Sequence, residues 1–247
     1  MFRPRIIPVL LLQGNVLVKS VAFKNYKYIG DPINAVRIFN DLKADELVFL
    51  DINASNENRL IDSEFVSQVG EEANMPFSVG GGIRSLEDIR TLINAGAERV
   101  IINAAAIARP EFIREAADEF GSSTITVCMD VKKKLFGGQV VWSNNGKKAT
   151  SLHPVDYAKQ IEALGAGEII VQSIEKDGAM TGYDLPLIRS ISEAVTIPVT
   201  ALGGAGSTDD LEKAHKEAFA NGLAAGSLFV FHGKNRGVLI TYPKRRS

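Results

Sequence analysis

"SVGGGIRSLED" at residues 78–88 returns in altered form as "ALGGAGSTDD" at 201–210. The offset that lays Gly81 and Gly82 on Gly203 and Gly204 also pairs Ser85 with Ser207 and Asp88 with Asp210. Farther away it pairs Pro32 with Pro154, Ala44 with Ala166, Glu46 with Glu168 and Pro76 with Pro198, always 122 residues apart. A fixed period over this length marks an internal duplication. Around both copies, short apolar runs (RIIPVLLL, ELVFLD, TITVCMD) alternate with longer stretches of helical period (NAVRIFNDLKA, LEDIRTLINAG). The runs are apolar on both faces, as in a parallel sheet covered on all sides. Four βα units per half, right-handed and short-looped, close into an eight-stranded (β/α)8 TIM barrel. The alternative, an open doubly wound sheet, reverses its strand order and would not give two equivalent halves. Pro/Gly/Ser-rich linkers are absent, so the chain reads as one α/β domain over residues 1–247, with half-barrels of approximately 1–122 and 123–247.

Composition excludes several function classes. Hydrophobic residues make up 45% and charged residues 23%, the profile of a globular protein. The 28 Lys and Arg against 29 Asp and Glu leave a net charge of −1, so no overall field favours nucleic acid or anionic lipid. The terminal "PKRRS" at 243–247 reads as a solvated tail. A single cysteine, Cys128, rules out an intramolecular disulfide and fits a reduced compartment. Arg3 and Arg5 before an apolar run imitate a signal peptide, but Pro8 interrupts the run and no small-x-small site follows. No stretch reaches the ~18 apolar residues of a membrane span. The expected location is the cytoplasm.

In such barrels the chemistry sits where strands end and helices begin. The third strand ends in Gly81 and Gly82 and the seventh in Gly203 and Gly204, where glycine lets backbone approach an anion and the following helix start directs N–H groups at it. Asn103 and Ala104 after the fourth strand, and Gly226 and Ser227 after the eighth, add small residues and amides. A single Gly-rich turn is as well explained as a tight turn. Two of them, related by the duplication, point to a phosphorylated ligand with phosphates on opposite sides of one mouth.

These same residues carry a family likeness. The chain up to about residue 232 resembles HisF, the cyclase subunit family of imidazole glycerol phosphate synthase, through "RIIP" (5–8), "ADELVFLDI" (44–52), "VGGGIRS" (79–85), "IN" (102–103), "GAGEI" (165–169), "DG" (177–178), "GYDL" (182–185) and "GGAG" (203–206). The resemblance implies a HisH-like glutaminase partner whose ammonia crosses the barrel to a bisphosphate ribonucleotide. It also implies two aspartates as acid and base. Asp130 matches the one on the fifth strand, whereas Leu11 stands at the other, in "PVLLL" where the family reads "PCLDV". Leucine cannot exchange a proton, and a positioned acid or base contributes roughly 10²–10⁴-fold. Asp51, which ends the second strand, and Asp177, just past the sixth, could reach the mouth as substitutes, though from other strands and directions.

By the same likeness Arg5, Glu46, Arg99 and Glu168 form a charged ring at the ammonia entrance, a gate on one reading and a structural ion-pair cluster on the other. Lys19, placed in the first loop, is either a phosphate contact or a solvated lysine. The ending "SLFVFHGKNRGVLITYPKRRS" (227–247) leaves no room for a normal eighth helix. The flank so opened is either a partner site or is covered by the tail itself. The leucines and this ending resemble a HisF-like branch in which a glutaminase, the barrel and a sugar amidotransferase convert an acetamido to an acetamidino group for surface polysaccharide. Three functions follow: a conduit for ammonia, a cyclase of histidine biosynthesis with an altered acid–base pair, or a non-catalytic scaffold that switches on its glutaminase.

No cofactor is implied. His153, His215, His232 and Cys128 share no ligand spacing, so no metal is expected. Cys128 shares its facing with Asp130 by period-two alternation and reads as a packing thiol. Trp142, in "GGQVVWSNNGKK" (137–148), marks a hairpin after the fifth strand that could act as a lid.

Overall fold

The computed structural model describes residues 3–135, 137–233 and 235–243; the basic run after Pro243 lies outside the described residues. Eight parallel strands form a closed barrel: β1 (Arg5–Gln13), β2 (Leu47–Asp51), β3 (Phe77–Gly80), β4 (Arg99–Ile102), β5 (Ile125–Lys133), β6 (Glu168–Ser173), β7 (Val199–Leu202) and β8 (Gly222–Ala225). Each pairs with the next, β5 joins the halves through β6, and β8 pairs with β1 to shut the ring. The outer helices are α1 (Pro32–Asp41), α2 (Ser63–Glu72), α3 (Leu86–Asn94), α4 (Glu111–Phe120), α5 (Pro154–Ala163), α6 (Leu185–Ser192), α7 (Thr208–Ala218) and a single turn, α8 (Ser227–Val230). The expected TIM barrel, with its shortened eighth helix, is the fold.

The strands are apolar on both faces because both are buried. On β1 the side chains of Leu10 and Leu12 join the shell between strands and helices, while Ile7, Val9 and Leu11 face the barrel axis. The helix starts repeat across the halves. Ser85 and Asp88 form a reciprocal capping box at α3, and Ser207 and Asp210 form the same box at α7. The Asn40 side chain receives the Asn74 amide, and at the equivalent place Glu162 receives that of Thr196.

Two antiparallel hairpins grow from the barrel rim. Val16–Val21 folds back on β1 and pairs with Lys24–Gly30, so Lys19 belongs to a strand and is only 6% exposed. That corrects its expected place in a loop. Its alternation was masked by a turn at Ala22 and Phe23, both left-handed without glycine. The second hairpin, beginning at Gln139–Ser143, pairs with the end of β5 and includes Trp142, as expected. The flank opened by the short α8 is closed by the tail. Gly237–Val238 pairs with Phe231–His232, and the Leu239 and Thr241 amides donate to the Val230 and Phe229 carbonyls. Tyr242 then stacks near Phe229, its hydroxyl donating to the Ile6 carbonyl and accepting from the Asp45 amide.

Candidate functional site

At the N-terminal end of the barrel the four expected charges meet. Arg5 sends Nη1 to Glu46 at 2.5 Å and Nη2 to Glu168 at 2.6 Å, and Arg99 reaches Glu46 at 3.1 Å and Glu168 at 3.9 Å. Hydroxyls complete both carboxylates: Ser78 Oγ donates to Glu46 at 2.9 Å and Thr200 Oγ1 to Glu168 at 2.5 Å. Glutamates this buried need such partners. Burial would lower the Arg5 pKa, but Glu168 and Glu46 outweigh it and raise it. Above the ring the axis is lined by Ile7, Val9, Val48, Ile101, Cys128, Ile170, Leu202 and Ala224, with Leu11 and Leu50 nearer the mouth.

The mouth opens into a cavity of about 870 Å³ that Leu11, Leu50, Cys128 and Asp130 all line. Asn103 Nδ2 donates to Asp130 at 2.9 Å. Burial raises the Asp130 carboxyl to about 7 against that hydrogen bond, with Asp177 adding to the rise. Gly81, Gly82, Asn103 and Ala104 border the same cavity. Gly82 is left-handed at φ +72°, and a Cβ there would overlap the Arg59 carbonyl oxygen, so the packing of that loop demands glycine whether or not an anion binds. The equivalent residues of the second half, Gly203, Gly204, Gly226 and Ser227, border a cleft of only about 20 Å³ together with Lys19, Leu11 and Asp177. The Lys19 ammonium donates to the Val9 carbonyl and lies against Gly226.

The family model described as "Histidine biosynthesis protein" matches residues 5–235. The chain belongs to that family. A Pseudomonas aeruginosa protein provisionally named imidazole glycerol phosphate synthase subunit hisF2 is 46% identical over 243 residues, 98% of this chain and 97% of the relative. A Leptospira interrogans protein, provisionally named as the HisF subunit of the same synthase, is 44% identical over 246 residues, 99% and 97% of the two chains. The "Imidazole glycerol phosphate synthase subunit HisF" of Alkaliphilus metalliredigens is 44% identical over 232 residues, 94% and 92%.

Within this HisF-type barrel the remaining candidates sort by their partners. Asp51 is engaged: it accepts from the Asn53 and Ala54 amides and from Arg59 at 2.6 and 3.3 Å. Asp177 accepts from Ser20 Oγ at 3.0 Å; burial raises its pKa, while Lys19 and that bond pull it down. Burial, then Asp130, pushes the Cys128 thiol well up, so it stays protonated and packs. His153 precedes α5 without a capping bond from its side chain, and His215 Nδ1 lies 2.9 Å from the Ala220 carbonyl. Among the described residues no group of three or more His, Cys, Asp and Glu could hold a metal, and no helix is long and apolar enough to cross a membrane.

Sequence reasoning missed part of the rim. Arg84, Arg109 and Lys148 line the large cavity, as do Phe23 and Tyr26 from the first hairpin. Asn145 crosses from the second hairpin to donate to the Ile52 carbonyl at 2.7 Å. The basic residues could have been noticed as cations just after strand ends; the reach of Asn145 carries no local signal.

Proposed function

We propose that this chain is the barrel subunit of a glutamine amidotransferase of the imidazole glycerol phosphate synthase type. It receives ammonia from a HisH-like glutaminase at the charged floor and delivers it to an acceptor at the mouth, without closing an imidazole ring. The observation that carries this reading is Leu11: the axial position facing the Asp130 cavity holds a side chain that neither gives nor takes a proton. The apolar axis supports it too. Neutral NH₃ crosses such a lining at little cost, while an unpaired ammonium ion is strongly disfavoured there. The Leu11 substitution and the unusual ending favour a sugar acetamido group as the acceptor, aminated to acetamidino by a separate sugar amidotransferase, with a phosphorylated ligand in the Gly81–Gly82 cradle.

One observation favours a second reading, the cyclase itself. An Asp130 carboxyl near 7 is poised for proton transfer close to neutral pH. Purified barrel given excess ammonium salt and the bisphosphate ribonucleotide separates the two. The conduit reading expects no imidazole glycerol phosphate above the uncatalysed background; turnover at rates typical of a synthase overturns it. With the glutaminase bound, changing Glu46 or Arg99 is expected to alter glutamine-dependent amination of the acceptor and leave ammonium-dependent amination intact. Equal effects on both count against conduction and for a scaffold.

A further inference from the structure

The end of the barrel where the axis opens differs in charge from the rest of the surface. Residues 14–30 and 131–150, which form the two rim hairpins, hold eight of the chain's 28 Lys and Arg and none of its 29 Asp and Glu. The hairpins grow from β1 and β5, opposite strands of the ring. They meet over the mouth, where Gly146 in a turn of the second packs against Phe23 in the turn of the first. Outside this junction Lys24, Lys27, Lys133, Lys134, Lys147 and Lys148 are exposed, and among the described residues none of them pairs with a carboxylate. On the flanks, by contrast, Arg37 pairs with Glu72, Arg90 with Glu119, Arg189 with Glu193 and Lys216 with Glu212. Carboxylates of the neighbouring loops are engaged: Glu57 with Arg59, Asp184 with the Gln139 amide at 2.7 Å, and Glu175 with the Lys133 backbone amide at 3.4 Å. The same two hairpins leave apolar groups in water, with Tyr28 63% and Leu135 90% exposed.

We infer that the two hairpins together are the docking face for the enzyme that consumes the ammonia, a protein that presents carboxylates around its own ammonia entrance and covers the mouth as it binds. The inference rests on the conduit reading of the proposed function and adds the place and chemistry of contact with the sugar amidotransferase. NH₃ that leaves an apolar axis into neutral water is protonated and lost, so a conduit works only when its exit is sealed against the consumer. A face that carries cations and no acids attracts an acidic partner, fixes its orientation and speeds encounter. Tyr28 and Leu135 supply the apolar contact that holds such a partner once water is displaced. Lysine is unfavourable at the centre of an interface, which suits these six to its rim. The same charge keeps a second copy from docking mouth to mouth, because an isologous contact would set lysines against lysines. A lipid surface would meet the lysines equally well, but it takes up no ammonia for reaction and leaves the exit without a consumer.

The test is binding of the full chain, with its glutaminase attached, to a purified sugar amidotransferase of the same organism, measured by interferometry without glutamine or turnover. A saturable complex that weakens about tenfold or more from low to high salt is expected. Lys24→Glu, Lys134→Glu and Lys147→Glu combined in one chain should weaken it about tenfold or more at low salt, and Tyr28→Ala about fivefold. Lys159→Glu, exposed on α5 away from the mouth, should leave it within about twofold. In the unaltered chain, added amidotransferase should slow the acetylation of Lys24, Lys134 and Lys147 and not that of Lys159, which decides the matter even if a variant fails to fold. Phosphatidylcholine–phosphatidylglycerol vesicles and a single-stranded oligonucleotide probe the other anionic surfaces. Hairpin-dependent binding to either, with none to the amidotransferase, overturns the inference. So does a complex that the substitutions leave unchanged, self-association through the hairpins, or no complex at all. Imidazole glycerol phosphate formed by the barrel with ammonium salt strikes the conduit reading, whereas absent docking beside intact glutamine-dependent amination strikes this surface alone.

Discussion

Glu46 and Glu168 occupy equivalent places in the two halves, and each accepts from a hydroxyl 32 residues ahead, Ser78 and Thr200, while sharing Arg5 and Arg99 between them. The duplication thus reaches down to single hydrogen bonds at the floor, yet it doubles the glutamates and their hydroxyl partners and not the arginines. The arginines come from β1 and β4, both in the first half. Gly222 enters the floor layer on β8, against Thr200.

Removing one of these charges tests whether the ring is a unit. Glu46→Gln leaves two guanidiniums short of a counter-ion. Breaking a fully buried pair costs about 3–5 kcal/mol. Because both arginine side chains keep more than a quarter of their exposure, a loss of about 2 kcal/mol is expected. That corresponds to a fall of about 6 °C in Tm for a chain of this size. Glu168→Gln should cost the same within a factor of two. Thermal unfolding of the two variants checks this, and an undiminished Tm for either would show that the ring does not share its charges as the distances indicate.

Tyr242 tests the role of the tail. Its hydroxyl links the start of β1 to the Asp45 amide, standing in for a full eighth helix. Tyr242→Phe keeps the ring against Phe229 and deletes both bonds, with an expected loss of about 1–2 kcal/mol and a Tm lower by about 2–6 °C. A Tm unchanged within error would mean that the tail covers the flank by apolar contact alone.

Asn145 is the only hairpin residue whose side chain is described bridging the mouth to the Ile52 carbonyl. Asn145→Ala removes about 1 kcal/mol of hydrogen bonding. It also puts alanine at φ 52°, which asparagine tolerates better. Local opening should grow about tenfold, read as faster amide exchange over residues 143–149, while Tm moves little. Exchange that accelerates across the whole barrel would instead make this contact part of the global fold.

The barrel was legible because its evidence is periodic. Alternation on β5 put Cys128 and Asp130 on one face, the family likeness singled out Leu11, and the 122-residue repeat picked out Glu46 with Glu168 and the two glycine pairs. Lys19 was not legible in the same way. Its hairpin turns at Ala22 and Phe23 without the Asn-Gly or Gly-Gly signal that normally announces a two-residue turn. Nor does local sequence tell that Lys19 would reach a cradle formed by strands seven and eight, some 200 residues away. The same holds for Asp51: the sequence shows a carboxylate at a strand end, but only the fold shows that Arg59 and two backbone amides already consume it.

Asp130 makes the last prediction, one about pH. Its carboxyl is raised to about 7 in the folded chain, chiefly by burial, against about 3.9 when unfolded. The folded state therefore holds the proton more tightly. Between about pH 4 and 7 the folded chain binds more protons than the unfolded one, so this residue's contribution makes stability fall as pH rises through that window. Above pH 7 the penalty is constant. Lys19, lowered to about 8 mainly by burial, has the opposite sign, because its unfolded state holds the proton more tightly; its effect is confined to higher pH, between about 8 and 10.4. Asp177 is raised as well and shares the sign of Asp130, so the comparison must be made between variants. Asp130→Asn cannot ionise and can still accept from Asn103 through its amide oxygen. Denaturant titrations at pH 5 and pH 8 should show the unaltered chain losing more stability than Asp130→Asn between the two, by on the order of 1–3 kcal/mol. Parallel losses in both proteins would mean that Asp130 is ionised throughout and is not held near neutrality by its surroundings.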